Sequence, residues 1–298
     1  MEVLKKLCVI ENSCVGLGFF DGVHKGHSAL IKKLVEFSLK TNTKSVVITF
    51  KKNPAEYFFK GVTYITSNEE KESLISSLGV DYMFELDFNA DLKNMSAEDY
   101  LNKIIYSNFK PKYILTGFNH TFGKGKCGTP EFLRANQEKY GYKYVEIPPV
   151  KYNDEIISST LIRHCIENGD LKKANNLLGH DYLITGTVQK GNQIGRTIGF
   201  PTANIKYPET KPEIPYGVYS ARVKVSDKLY RGMLNYGIKP TINGGNNAPV
   251  VEVHILDFDK DIYGEKIDIS ILEKIRNEKK FNSLNELKQQ IKEDLKRC

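Results

Sequence analysis

The sequence predicts an α/β protein of two domains. The first is a mostly parallel sheet with helices on both faces; the second is a small, mostly antiparallel β-barrel with one terminal helix. Three observations predict this. Apolar strand-like runs alternate with amphipathic helical runs as far as Leu178. Helical period then disappears, and short alternating strands follow one another between Gly-, Pro- and Asp-rich turns. The 298 residues suffice for two ordinary domains, and a composition of 40% hydrophobic and 27% charged residues can supply a core for each.

In the first domain, residues 14–19 read as a buried strand. Leu30, Ile31, Leu34 and Val35 then recur at helical spacing over 28–39. The β-branched run 45–50 is a strand, 68–78 a helix ended by Gly79, and 81–85 a short strand. A helix over 97–106, a strand over 112–116, a helix over 130–140 with Pro130 in its first turn, and a strand over 143–147 follow. The helical stretch 158–178, broken at Gly169 and Asp170, closes this domain, which puts the boundary at 180/181. The second domain, 181–298, carries strand-like runs at 182–188, 217–225, 229–235, 250–256 and 266–272. A helix over 284–295, capped by Ser283, places Leu284, Leu287 and Ile291 on one face to cover the barrel.

The net charge of +7, from 43 basic and 36 acidic residues, favours anionic ligands. The basic residues are scattered and form no arginine-rich track, so no nucleic-acid partner is expected. Cys8, Cys14, Cys127, Cys165 and Cys298 are odd in number and widely spaced, which suits reduced thiols better than a disulfide framework or a zinc centre. The N-terminal apolar run is too short for a signal peptide, and none approaches transmembrane length. A cytoplasmic protein with no membrane association and no obligate protein partner is the expectation.

Two motifs carry chemistry. In GFFDGVHKGH, residues 18–27, Gly18 relieves crowding where the strand enters the loop, Gly22 and Gly26 permit a sharp turn with exposed amides, and a helix beginning near His27 or Ser28 offers free N–H groups to an anion. His24 and His27 can donate to the oxygens of a reacting phosphate, although each could instead cap the helix or sit in the core. No GxxxxGK[ST] loop, CxxC or HExxH is present. The segments 49–54 and 117–128 also follow strands, so all three can meet beyond the strand ends of a parallel sheet. In the second half, Gly191, Gly195 and Gly199 punctuate a flap, Pro201 stiffens its exit, and Thr202 and Asn204 present oxygen ligands. Taken alone, PTAN would read as a turn with a local cap.

GFFDGVHKGH resembles the HxGH signature of bacterial bifunctional riboflavin kinase/FMN adenylyltransferases, and the likeness continues through TFKKNP, GFNHTFGKGKCG and SSTLIR. GRTIGFPTAN, PYGVY, LNYGIKPT, VEVHILDFDKDIYG and IRNEKKF resemble the kinase half of the same family. The resemblance implies a Rossmann-like nucleotidyltransferase domain before a riboflavin kinase barrel. It implies transfer of the ATP γ-phosphoryl group to riboflavin giving FMN, then adenylyl transfer to FMN giving FAD and pyrophosphate, with Mg²⁺ as cofactor. A single-activity enzyme is the alternative. By the same resemblance His24 and His27 stabilise the α-phosphate. Gly18, Phe19, Asp21, Gly22, Gly26, Asn119, Ser158, Ser159, Thr160 and Arg163 serve nucleotide or flavin there, with Ser159 and Thr160 equally able to cap a helix. Gly191, Gly195, Arg196, Gly199, Pro201, Asn235 and Arg276 line the kinase site, Thr202 and Asn204 organise MgATP, and Glu252 is the general base for the 5′-hydroxyl or else a surface salt-bridge partner. His120, Cys127 and Lys239 depart from the family's usual residues.

Overall fold

The computed structural model describes residues 1–6, 8–191, 193–238 and 249–298. Lys239 therefore lies outside the described residues. The chain packs as two compact units, Met1–Ser159 and Thr160–Cys298.

The first unit is a six-stranded parallel sheet. Its strands are β1 (Glu2–Leu4), β2 (Ser13–Leu17), β3 (Lys44–Phe50), β4 (Tyr82–Leu86), β5 (Pro111–Gly117) and β6 (Lys143–Ile147), in the order β1-β4-β3-β2-β5-β6. Alternate residues of each strand enter opposite cores. Val15, Leu17, Val46, Ile48, Phe84 and Ile114 pack on one face, and Cys14, Val47, Met83 and Leu115 on the other. The second face is covered by Leu30, Ile31 and Leu34 of α1 (Lys25–Thr41) and Ile75 of α2 (Asn68–Ser77). The first is covered by Leu92 of α3 (Ala90–Asn94), by Leu101, Ile104 and Ile105, and by Leu133 of α6 (Pro130–Tyr140). The helix expected over 97–106 runs on as α4 (Ala97–Asp99), a π-helical stretch Tyr100–Tyr106 and α5 (Ser107–Phe109). Alternating apolar residues on a sheet with both faces covered make the Rossmann-like layering. β1 went unpredicted because three partly exposed residues carry no period.

α7 (Ser159–Glu167) and α8 (Leu171–Leu178) form the broken helix expected over 158–178. Packing cuts the chain ahead of the 180/181 division expected from the sequence, because α8 lies on β14 (Lys266–Arg276) and β9 (Tyr182–Thr187) of the second unit. Its Asn175 donates to the Ile271 carbonyl (2.9 Å) and accepts from the Tyr182 amide (2.7 Å). A small hairpin, β7 (Lys151–Tyr152) with β8 (Glu155–Ile156), precedes α7.

The second unit curls one antiparallel sheet in the order β10-β13-β12-β11-β14-β9. Its strands are β9 (Tyr182–Thr187), β10 (Ala203–Lys206), β11 (Gly217–Val225), β12 (Lys228–Ile238), β13 (Pro249–Ile255) and β14 (Lys266–Arg276). Among the described residues the two edges meet at one bridge, where the Gln189 amide donates to the Asn204 carbonyl (2.7 Å). Two differences from expectation matter for the site. Ala203 and Asn204 belong to a strand rather than a turn, and β14 continues to Arg276 through two register shifts instead of ending at 272. α9 (Ile194–Thr197) is one turn inside the glycine-punctuated flap, and α10 (Leu284–Leu295) ends the fold with Ser283 as its cap, accepting from the Glu286 amide.

Candidate active sites

Beyond Leu17 the chain passes through three left-handed residues, Phe20, Gly22 and Val23 (φ 58°, 77° and 38°). A β-branched valine there is strained. The strain persists because neighbours fix the loop from several sides. Asp21 Oδ1 accepts from the amides of Ile65 (2.9 Å) and Thr66 (3.3 Å), and the Gly22 amide donates to Thr66 Oγ1 (3.0 Å). Thr49 Oγ1 donates to the Phe19 carbonyl (2.9 Å), Ser28 Oγ to that of Val23 (3.1 Å), and Ser159 Oγ to that of Asp21 (3.1 Å). Asp21, only 3% exposed, thus shapes the loop from inside. Ser159 brings the start of SSTLIR to the same loop.

α1 begins at Lys25, earlier than expected, so His24 is its N-cap and His27 sits in its first turn. His24 Nδ1 accepts from the His27 amide (3.3 Å), and the two rings stack with centroids 3.6 Å apart. A neutral ring accepting at Nδ1 carries its proton on Nε2, so His24 remains a donor at that nitrogen. Gly26 is a helical residue, not the turn expected. A Cβ there would lie 3.1 Å from His24 Cε1, so the missing side chain clears space for the imidazole. Burial, then the neighbouring His24, push the His27 pKa well below its ordinary value. Its Nδ1 is buried with no hydrogen-bond partner among the described residues, and the ring meets the edge of Phe20 at 5.3 Å. Two neutral imidazoles at the N-terminus of a 17-residue helix form a donor set for an anion.

Asn119 is exposed just past β5, on the side of β2 opposite β3, where the strand order reverses. Ligands of open parallel sheets bind at that crevice. A Cβ on Gly18 would meet the Phe20 ring at 2.8 Å. Ser158 is partly buried, and Thr160 and Arg163 follow on α7 in the second unit. Sequence reading missed Thr66 and Lys71. Lys71 is buried, donates to the Phe50 carbonyl (2.9 Å) and lies 5.1 Å from the Phe19 ring. It also missed Tyr57, Phe58 and Phe59, exposed aromatics just after Pro54. Cys127 is exposed, all five cysteines are free, and no metal-binding cluster of His, Cys, Asp or Glu occurs among the described residues.

In the second unit, register does the assembling. Asn204 on β10 pairs with Glu252 on β13, Glu252 with Asn235 on β12, Asn235 with Val218 on β11, and Val218 with Arg276 on β14. Cross-strand partners share a face, so four residues from separate motifs form one row with Val218 between them. Val218, Asn235, Glu252 and Arg276 line a cavity of about 650 Å³. A second cavity of about 230 Å³ is lined by Arg196, Pro201 and the 258–263 segment, and Thr202 borders both. The flap approaches closely: a Cβ on Gly195 would collide with the Phe200 carbonyl, and one on Gly191 with the Asn204 amide. Gly199 is left-handed (φ 86°). His254, two residues from Glu252, lines the larger cavity with its Nδ1 2.7 Å from the Pro201 carbonyl. Arg276 is not simply open to a ligand. Its Nε donates to Asp294 of α10 (2.8 Å).

One site thus sets two imidazoles at a helix start, and the other sets a carboxylate in the larger of two cavities that meet at a hydroxyl. Two family models match the chain: FAD synthetase over residues 8–161 and riboflavin kinase over residues 178–298. Bifunctional riboflavin kinase/FMN adenylyltransferases resemble it along nearly its whole length. That of Buchnera aphidicola from Schizaphis graminum is 35% identical over 98% of this chain and 94% of its own. Those of Escherichia coli K12 and Bacillus subtilis 168 are each 34% identical over 95% of this chain, covering 91% and 90% of theirs. A solved Streptococcus pneumoniae structure, described as a macrolide-efflux protein, superposes with a TM-score of 0.89 at 32% identity, covering 99% of this chain and 98% of that one. Among the described residues here, no helix is long and apolar enough to cross a membrane. The chain belongs to the bifunctional riboflavin kinase/FMN adenylyltransferase family.

Proposed function

We propose that the second unit phosphorylates riboflavin and that the histidine loop of the first transfers AMP to the resulting FMN. The observation that carries the kinase reading is the Asn204–Glu252–Asn235 register row beside two cavities joined at Thr202. The 650 Å³ cavity suits the flavin. Along the sheet, Glu252 and Arg276 are three strand spacings apart, roughly 14 Å, a span that suits a tricyclic ring with its ribityl chain. The smaller cavity, with Arg196 at its wall, takes the nucleotide. Glu252 accepts the proton of the 5′-hydroxyl as that oxygen bonds to the γ-phosphorus and ADP leaves. Thr202 and Asn204 offer the oxygen donors a hard cation prefers, one strand from the Glu252 carboxylate, and would hold Mg²⁺. Bound there, the ion would neutralise phosphate charge.

In the first unit an FMN phosphate oxygen attacks the α-phosphorus of ATP and pyrophosphate departs. His24 and His27 donate to the non-bridging oxygens, whose charge grows towards the transition state. The exposed faces of Tyr57, Phe58 and Phe59 offer stacking to the flavin. Asn119 and Ser158 serve phosphate or flavin. Asp21 acts by shaping the loop. The functional division at 180/181 holds alongside the packing division. Five free cysteines support a cytoplasmic location.

Full-length protein given riboflavin and MgATP should accumulate FMN and then FAD. Supplying FMN directly isolates the second reaction. Folded protein that forms neither product would overturn the assignment, and one product alone would reduce it to a single activity.

A further inference from the structure

The terminal helix docks in an unusual way. Of its twelve residues, Asp294 is the buried one, while Leu284 of the expected apolar face is 59% exposed. Leu287 and Ile291 line the larger cavity. Polar contacts hold the helix in place. Asp294 Oδ2 accepts from Arg276 Nε (2.8 Å), Asp294 Oδ1 accepts from Gln290 (3.0 Å), and Arg297 Nη1 donates to the Ile275 carbonyl (2.7 Å). The side chains of Arg276 and Asp294 are 19% and 2% exposed. A carboxylate so enclosed is held firmly by a charge-assisted bond, because no water can replace its partner.

Arg276 is also the far end of the row that contains Glu252, and it borders the same cavity. With Nε held by Asp294, Nη1 on the Asn277 carbonyl and the guanidinium 5.7 Å from the Phe281 ring, its orientation is set from three directions. We propose that Asp294 is a positioning residue for riboflavin phosphorylation, acting through Arg276 to fix one wall of the flavin cavity. This rests on the kinase reading of that cavity. The terminal helix is then part of the kinase site, and its cavity-facing Leu287 and Ile291 are completed by the flavin.

The test uses the full chain, whose adenylylation of supplied FMN serves as an internal control. Asp294→Asn should raise the riboflavin KM about tenfold with a smaller change in kcat, while FMN adenylylation stays unchanged. In an Arg276→Gln background, adding Asp294→Asn should change the riboflavin KM no further. A wild-type KM in Asp294→Asn would overturn the proposal, as would an equal loss in both backgrounds, the signature of a merely structural role. If Asp294→Asn alone fails to fold, Arg276→Gln and the double variant, which leaves no unpaired charge, decide the matter: unequal KM values sink it. Should the wild-type chain form no FMN, it is the kinase reading that fails. Quenching of riboflavin fluorescence then reads the same four proteins for binding, with a tenfold weaker Kd expected in Asp294→Asn.

Discussion

In the first unit the groups proposed to react lie within four residues of chain, His24 to His27; in the second they lie on four strands brought into register, with Val218 of a fifth between them. The loop site draws its precision from backbone strain held by neighbours, with Asp21, Thr49, Thr66 and Ser159 each bonding it. The sheet site draws its precision from the ladder, which fixes Asn204, Glu252 and Asn235 as neighbours. A loop site therefore depends on clearance and on strained turns, and a sheet site on the length and bulges of its strands. Variants that damage one activity and spare the other test this contrast directly.

The largest effect belongs to Glu252→Gln. Loss of a general base costs about a hundredfold to ten-thousandfold, so FMN formation from riboflavin should fall by about a thousandfold while adenylylation of supplied FMN keeps its rate. Comparing the two rates on one preparation checks this, and an unchanged kinase rate would remove Glu252 as the base. His27→Ala is the mirror experiment. Removing one fixed donor to a developing oxyanion costs about 3 kcal/mol, roughly a hundredfold. FAD formation should slow by that factor with riboflavin phosphorylation spared, and equal damage to both would dissolve the separation of sites.

These effects also measure how much was legible beforehand. Contiguous groups are visible in sequence, so GFFDGVHKGH could be singled out from the chain alone. The parallel and antiparallel halves were visible because period two and period 3.6 are properties of local sequence. Register is not local. Nothing in PTAN distinguishes a turn from the start of β10, and a strand read as ending at residue 272 could not place Arg276 beside the row containing Glu252. Asp294 carries no local signal in the sequence, since its bond is to a partner 18 residues away. Gly26 was noticed for the wrong reason: its need is room for an imidazole, which only the position of His24 reveals.

Gly26→Ala sharpens that last point. The added methyl would come within 3.2 Å of His24 Nδ1, so the ring must shift by a few tenths of an ångström. Alanine favours a helix over glycine by about 1 kcal/mol. The variant should therefore be as stable as wild type or more so, yet slower in FAD formation by about tenfold. Thermal unfolding and the FMN assay measured together separate clearance from helix propensity. A stable variant with full activity would show that His24 tolerates displacement.

The smallest effect is one of stability, and it distinguishes the units again. His120, in the loop after β5, keeps some exposed surface, but its Nε2 is shut from solvent with no hydrogen-bond partner among the described residues, and burial pushes its pKa down to about 4. The ordinary histidine pKa is about 6.5. Above that pH both folded and unfolded chains carry a neutral ring, and its contribution to stability is fully present. As pH falls below 6.5 the unfolded chain binds a proton that the folded chain refuses, so stability is lost progressively down to about pH 4. At pH 5 the loss amounts to about 2 kcal/mol relative to pH 7.5. His120→Phe removes the titration while keeping an aromatic ring against Phe122, which His120 stacks on at 5.9 Å. Calorimetry of the full chain should then show the acid-induced drop in Tm shrinking in the variant for the first unit alone. His27, depressed in the same direction by burial and by His24, remains in both proteins and contributes to the drop that is left. A variant with the same pH slope as wild type would mean that His120 protonates in the folded chain as readily as in the unfolded one, and that its loop opens to water without cost.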